Sequence, residues 1–316
     1  MRSVLWFVGR KLAGMLATIL VASVVIFGAL YLAPGDPASL LAGGRQVSPE
    51  TMAAIRAQYH LDEPFWAQYW HWLAGLLTGD PGTSMVLKEP VTTLIMSRLP
   101  TTLLLVAYAG TLILIVGVVL GVLAGIGGRI ADTALTLGTT VLMAAPAFVA
   151  AILLIWLFAT KLSWFPVYGS GEGFGDRIYH LTLPALALSG GYLAYVSRIT
   201  RTEVRAELAA DHVAAARARG LPGWSVLRRH VLRNAAPPIL AVSGVTVAGL
   251  FAGTAVAEQA FGVSGLGSLL VQSAARQDLV VVQVLSLLLV AAFVVVNMLV
   301  DLVNAILDPR LVKEKS

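Results

Sequence analysis

The sequence predicts an all-α integral membrane protein with six transmembrane helices. Of its 316 residues, 58% are hydrophobic and only 12% are charged, and the mean hydropathy is +0.82. A soluble domain averages about 25% charged residues. Six apolar runs approach or exceed the roughly 20 residues that a membrane-spanning helix needs. Too few water-facing side chains remain to cover a soluble fold of this size, so the chain belongs in a lipid bilayer.

The apolar runs set the expected boundaries. We expect transmembrane helices at residues 12–32, 99–128, 133–160, 181–200, 237–257 and 279–303. Between them we expect an N-terminus (1–11), outer segments 33–98, 161–180 and 258–278, a polar loop 201–236 and a C-terminus (304–316). One permease domain would cover about 95–310. The fourth span is interrupted at its start by His180 and is the weakest of the six.

The basic residues orient the chain. With six spans, both termini and the 201–236 loop lie on one side, and 15 of the 22 Lys and Arg residues lie in or next to these parts and the 127–132 turn. Cytoplasmic loops retain such an excess of positive charge. We therefore expect both termini and the polar loop in the cytoplasm. The first apolar run is longer than the core of a signal peptide, so we expect it to be retained.

The outer segment 33–98 carries two signals. Pro34 to Pro37 are expected to end the first helix. An aromatic run from Phe65 to Trp72 is typical of an anchor at the membrane interface. A role in substrate entry is the alternative for this run.

Small residues recur at a spacing of four within two spans. Gly117, Gly121 and Gly125 do so in the second span, and Gly249 and Gly253 in the fifth. This spacing lets helix backbones approach closely. We expect helix packing at these glycines, with chance occurrence in glycine-rich spans as the alternative.

The most polar long segment runs from Glu203 to Pro238. Its Ala-rich first part predicts one helix from Glu203 to Arg219, ended by Gly220 as C-cap. A second short helix is predicted from Trp224 to Asn234, stopped by Pro237-Pro238. Two spans would thus be joined by a helix–turn–helix in water.

We interpret this element as a docking handle for another protein. Small Ala side chains can enter a partner's cleft at low entropic cost, and Arg side chains can anchor to acidic groups. A solvated loop without a partner is the alternative. The expected docking residues are Asp211, His212, Ala214, Ala215, Ala216, Arg217, Arg219, Gly220 and Leu221.

Several kinds of site are absent from the sequence. There is no GxxxxGK[ST] phosphate loop, so the chain has no recognisable means of holding ATP. There is no GxSxG elbow or HExxH motif, and the His residues at 60, 71, 180, 212 and 230 show no ligand spacing, so we predict no catalytic residue and no metal site. The absence of Cys excludes disulfides. The basic pI follows from the loop bias and indicates no nucleic-acid partner.

Polar and helix-breaking residues at the spans bear on the transport mechanism. Pro146 and Pro184 are expected to kink their spans. Glu258 and Asp301 fall at span edges, where we expect solvated boundary residues rather than an ion-coupling relay. A self-contained secondary carrier and a non-transporting scaffold remain the alternatives to a transporter driven by other subunits.

The polar loop resembles that of one family. Asp211–Leu221 is similar to D-[YF]-V-R-T-A-R-A-K-G-L in the permeases of ABC importers, and Arg229–Asn234, followed by Pro238, to R-H-A-L-R-N-A-L-x-P. Other blocks match along nearly the whole chain: Ala33–Ala38, Leu61–Pro64, Gln68-Tyr69, Arg98–Thr102, His180–Ala185, Glu258, Phe261, Gly265–Gly267, Asp278, Gln283, Asn297, Asp301 and Leu307–Arg310. The combination resembles dipeptide, oligopeptide and nickel permease subunits, specifically the first of two paired permeases.

The resemblance implies type I ABC importer permease architecture with a cytoplasmic coupling helix. It implies a second homologous permease, one or two ABC ATPase subunits and an extracytoplasmic substrate-binding protein as partners, with ATP and Mg on the ATPases and no cofactor on this chain. Ala214 stands where the general motif has Glu, which removes one possible salt link, and Trp224 replaces a usually polar residue. Peptides are the favoured substrate, with nickel chelates or another small solute as alternatives. No substrate-contacting residue is identified.

Overall fold

A computed structural model describes residues 2–32, 38–39, 47–58 and 60–307. The expected helix stop at Pro34–Pro37 and the C-terminal block from Asp308 onward lie outside these residues. The described part is helical, without a sheet; its only extended pairing is an isolated bridge between Thr83 and Pro90. The helices are α1 (Arg2–Leu32), α2 (Pro49–Gln58), α3 (Phe65–Thr78), α4 (Val91–Leu112), α5 (Val118–Ile126), α6 (Arg129–Ala144), α7 (Ala147–Leu154), α8 (Gly173–Leu208), α9 (Asp211–Ala218), α10 (Gly223–Val226), α11 (Leu232–Ala260), α12 (Leu266–Ala275) and α13 (Leu279–Leu307).

Wider π-helical turns interrupt three of the long helices. They are Ile113–Gly117 between α4 and α5, Ile155–Lys161 after α7, and Leu227–Val231 between α10 and α11. The backbone stays helical through each, so α4–α5 and α10–α11 act as continuous rods.

Four helical segments of the described residues are long and apolar enough to cross a membrane. They are Val8–Ala29, Val91–Ile126, Gly223–Ala260 and Leu279–Ala305. A fifth span results if α6 and the helix from Ala147 to Lys161 are counted together. Helix α8 is long and has no Asp, Glu, Lys or Arg between Ile178 and Ser197, but it is less apolar than these four helices, so the expected count of six stays a prediction.

Pro146 lies where the fifth candidate span bends. The two halves meet at 104°, with Ala145 and Pro146 between them in extended conformations. The bend falls at the proline that was expected to kink this span, and the expected span at 133–160 stays a prediction. Pro184 behaves differently, because α8 continues through it and buries it.

The core surrounds α8. This helix contacts α4–α5, α6, α7 and α11, and its Leu181 and Leu183 are almost completely buried together with Leu105 and Leu250 from its neighbours. Helix α1 lies at the periphery and packs against α13.

The single helix expected from Glu203 to Arg219 is wrong. Helix α8 ends at Leu208, Ala210 is extended (ψ 147°), and α9 starts at Asp211. The break turns α9 back onto the protein, where its Val213 is fully buried. A straight helix would leave this side chain in water and lose the free energy of burying it.

The expected stop at Pro237-Pro238 is also wrong, because α11 runs through both prolines to Ala260. Each proline removes a backbone donor from the helix. The flanking Ala235 and Ile239 are buried in a cluster with residues of α8 and α9. This tertiary burial holds the helix together where local preference would end it.

Candidate functional site

The expected docking helix exists as a separate element, α9, tied to the protein by its inner face. Val213 and Ala216 pack with Val204 of α8, and with Val226 and Val231 of the following segment. This apolar anchor fixes the direction in which the rest of α9 points.

The opposite face of α9 is open. Eight of the nine expected docking residues are exposed, whereas Ala216 is 4% exposed and turned inward. The exposed members of the expected docking set are therefore Asp211, His212, Ala214, Ala215, Arg217, Arg219, Gly220 and Leu221.

Gly220 shapes the end of the docking helix. Its φ is +75°, in the left-handed region, and its N–H donates to the Arg217 carbonyl at 2.9 Å. Glycine adopts this conformation without steric cost. The turn redirects the chain into Pro222 and α10.

Polar contacts join α9 to both neighbouring helices. His212 Nε2 lies 3.1 Å from Asn234 Nδ2 on α11 and 3.3 Å from Glu207 Oε2 on α8. The His212 side chain of α9 thus contacts both α8 and α11.

The surface beside α9 is basic. Arg228, Arg229, His230 and Arg233 line an open recess of about 740 Å³. Together with the exposed arginines of α9, this surface is complementary to an acidic partner.

Glycines of α5 bring its backbone against α8. A Cβ built on Gly121 would lie 2.5 Å from the Ser197 carbonyl oxygen, and one on Gly125 would lie 2.6 Å from Val204 Cγ1. Gly117 approaches α8 less closely, at 3.2 Å from a carbonyl oxygen. No larger side chain fits at the first two positions without a shift of the helices.

The glycines of α11 also pack against α8. A Cβ on Gly249 would lie 3.3 Å from the Tyr192 hydroxyl, and one on Gly253 would lie 2.8 Å from Leu188 Cδ1. The Tyr192 hydroxyl also donates to the Gly249 carbonyl at 3.4 Å. Both glycine rows therefore contact α8, the helix that leads directly into α9.

A cluster of charged side chains joins the C-terminal end of α8 to α6. Arg201 donates to both carboxylate oxygens of Asp132, one of them at 2.8 Å, and Arg205 Nη2 lies 3.1 Å from the same carboxylate. A bidentate Arg–carboxylate pair fixes geometry as well as distance. The bent α6–α7 pair is thereby joined to α8 just before the docking helix.

Glu258 is fully buried, so the expected solvated boundary residue is wrong. Its two carboxylate oxygens accept from the Thr102 hydroxyl at 2.7 Å and from the Ser268 N–H at 2.8 Å. The loop before α12 folds over it, which the apolar pattern gave no reason to expect. Asp301 is partly exposed, as expected at a boundary, and pairs with Lys11.

Glu258→Gln is expected to destabilise the protein by about 1–3 kcal/mol. Thr102 Oγ1 accepts from the Leu266 N–H, so its hydrogen points to Glu258. Both carboxylate oxygens thus face donors, and the Gln NH₂ group would oppose one of them. The thermal unfolding midpoint of the purified chain measures this, with Gln259→Glu at the exposed neighbour as control. Equal unfolding midpoints for Glu258→Gln and the parent would contradict the hydrogen-bond network around Glu258.

An apolar cavity of about 730 Å³ lies between the bent α6–α7 pair and α8. Its polar lining groups include Ser189, Tyr192 and Tyr195. Gly190 and Gly191 face Leu142 of α6 across it.

Comparison with known proteins gives a consistent result. The family described as "Binding-protein-dependent transport system inner membrane component" matches residues 117–313, and the family of N-terminal parts of such components matches residues 4–106. The chain is 35% identical over 309 residues to a probable peptide ABC transporter permease protein of Sinorhizobium fredii, covering 96% of this chain and 98% of that protein. It is 34% identical over 307 residues to the glutathione transport system permease protein GsiC of Salmonella typhi, with the same coverage. Among solved structures, it resembles a chain of the inward-facing MetNI methionine ABC transporter, with TM-score 0.54, 18% identity, and coverage of 68% of this chain and 96% of that chain.

Proposed function

This chain belongs to the binding-protein-dependent transport system inner membrane component family, and we propose that it forms half of the translocation pathway of an ATP-driven peptide importer. It is a multi-pass inner-membrane permease with the type I ABC importer fold, and not itself an enzyme. The family works with ATPase and substrate-binding partners in general. The proposal specifies what these partners do at this chain.

The observation that carries the proposal is the short connection between α8 and the docking element, which are separated by only Ala209 and Ala210. Helix α8 has 36 residues, about 54 Å at 1.5 Å per residue. It passes between the helices that carry the two glycine rows and ends two residues before α9. A partner that moves α9 would therefore move the most deeply packed helix of the protein.

The partner at α9 is an ABC ATPase subunit, which carries ATP and Mg²⁺. The exposed Ala214 and Ala215 offer a small docking surface, and Arg217 and Arg219 provide anchors for acidic groups. Binding of ATP would bias α8 between two arrangements, as in alternating access. Both termini and α9 then lie in the cytoplasm.

A second homologous permease completes the pathway, and an external binding protein delivers the substrate. Peptides are favoured because relatives at 33–35% identity are named as peptide or glutathione permeases. We expect the cavity between α6–α7 and α8 to contact such a substrate or the second permease.

Cross-linking from single cysteines tests the ATPase contact, since the native chain has no Cys. Ala215→Cys, modified with a maleimide carrying a photoreactive group, is expected to cross-link to a nucleotide-hydrolysing subunit in the purified importer. The matched variant Ala216→Cys is buried and is expected to resist alkylation and give no cross-link. Efficient modification of Ala215→Cys without a cross-link to any ATPase would refute the proposal.

A further inference from the structure

Three side chains converge where the turn after α2 meets α3. His60 Nδ1 lies 3.1 Å from Glu63 Oε1, and His71 Nε2 lies 3.1 Å from Glu63 Oε2. The two imidazole rings stack at 4.3 Å with 13° between their planes. One nitrogen from each ring and one carboxylate oxygen all lie within 4.8 Å of one another.

The surrounding structure holds this cluster in place. Gln68 is 5% exposed, and its side-chain amide donates to the carbonyls of Leu61 at 3.2 Å and Glu63 at 2.7 Å. Gln68 and His71 both lie on α3, so the turn that carries Glu63 is fastened to the helix that carries His71. His60 has φ +53°, a left-handed conformation that is uncommon without glycine and is often associated with functional sites.

The donor set fits one class of ligand. Two imidazoles and one carboxylate are a set that binds Zn²⁺ and related transition metals, whereas Ca²⁺ and Mg²⁺ prefer oxygen ligands. Metal bonds of 2.0–2.1 Å in a tetrahedron place neighbouring ligand atoms about 3.3 Å apart. The two distances from Glu63 to the imidazole nitrogens, both 3.1 Å, are close to that spacing.

We propose that His60, Glu63 and His71 bind a divalent transition-metal ion of the Zn²⁺ class, with water at the fourth position. The three side chains are 39–53% exposed, so an ion can enter from solution. The bound ion fastens the turn after α2 to α3. The His spacing in the sequence gives no indication of this site, because the turn between residues 60 and 65 brings the rings together.

Calorimetric titration of the full-length chain in detergent with ZnCl₂ tests the site. The protein is purified without a polyhistidine tag and stripped with a chelator. One equivalent of Zn²⁺ is expected to bind to the parent, and MgCl₂ at the same concentration is expected to give no saturable binding. His71→Phe keeps a ring for stacking but removes the ligand nitrogen, and is expected to weaken Zn²⁺ binding at least tenfold. Asn tolerates the left-handed backbone at position 60, and His60→Asn is also expected to weaken Zn²⁺ binding at least tenfold.

His180→Asn serves as the matched control. His180 also contacts a carboxylate, with Nδ1 3.3 Å from Asp176 Oδ1, but no second His among the described residues joins that pair in a ligand cluster. This variant is expected to bind Zn²⁺ like the parent. The unfolding midpoint is a second measurement: Zn²⁺ is expected to raise it in the parent and in His180→Asn, but not in His71→Phe. Equal Zn²⁺ affinity in the parent and His71→Phe, or no saturable binding to the parent, would overturn the proposal.

Discussion

Gly220→Pro is expected to reduce substrate-stimulated ATP hydrolysis by the assembled importer at least tenfold. The φ of +75° at Gly220 is incompatible with the φ near −65° that the proline ring imposes. Proline also lacks the N–H that donates to the Arg217 carbonyl. The turn after α9 must therefore rearrange, while Val213 and Ala216 keep their buried positions. The docking surface would then meet the ATPase in the wrong orientation.

Gly223→Pro is the matched control for this prediction. Gly223 is the first residue of α10, where proline is well tolerated, and the preceding Pro222 has the extended conformation that a following proline requires (ψ 144°). The substrate-stimulated ATP hydrolysis of Gly223→Pro is expected to stay close to that of the parent. Copurification of the ATPase with each variant separates loss of assembly from loss of coupling. Equal stimulation in Gly220→Pro and Gly223→Pro would show that the orientation of α9 does not transmit energy.

Gly121→Ala is expected to destabilise the protein by about 1–3 kcal/mol, the usual cost of overpacking. The added methyl would lie 2.5 Å from both the Ser197 carbonyl oxygen and Thr200 Cβ. A backbone carbonyl inside a packed helix cannot yield, so α5 and α8 must separate. Because α8 also leads into α9, coupling is expected to weaken together with the unfolding midpoint.

Gly138→Ala is expected to have the opposite effect on stability. Gly138 is an exposed helical residue of α6 with no atom within 4 Å of a built Cβ. Replacing glycine by alanine at such a position stabilises by about 0.4–1 kcal/mol. The two midpoints, measured by thermal unfolding in the same detergent, are expected to move in opposite directions. A Gly121→Ala midpoint at or above that of the parent would rule out the close contact between α5 and α8.

Local sequence patterns predicted the features of the site that single residues determine, and missed those that depend on contacts between distant residues. The left-handed turn at Gly220 follows from a glycine after an Ala-rich stretch, because that conformation is a property of single residues. The end of α8 at Leu208 does not follow from its sequence, since Ala209 and Ala210 favour continued helix. It depends on the pocket that receives Val213, which is built from residues distant in sequence. The same holds for α11, which continues through Pro237 where local preference predicts a stop.

The sequence by itself determined that this chain is a helical membrane protein, which segments are apolar, and where the long polar segment lies. These properties depend on composition and on the free energy of placing side chains in lipid, which each segment carries alone. Only the tertiary structure decided that both glycine rows contact α8, that Ala216 faces inward, and that Glu258 is buried beneath the loop before α12. Contacts between residues far apart in the chain depend on how helix surfaces fit together, and a single sequence does not encode that fit in any local pattern.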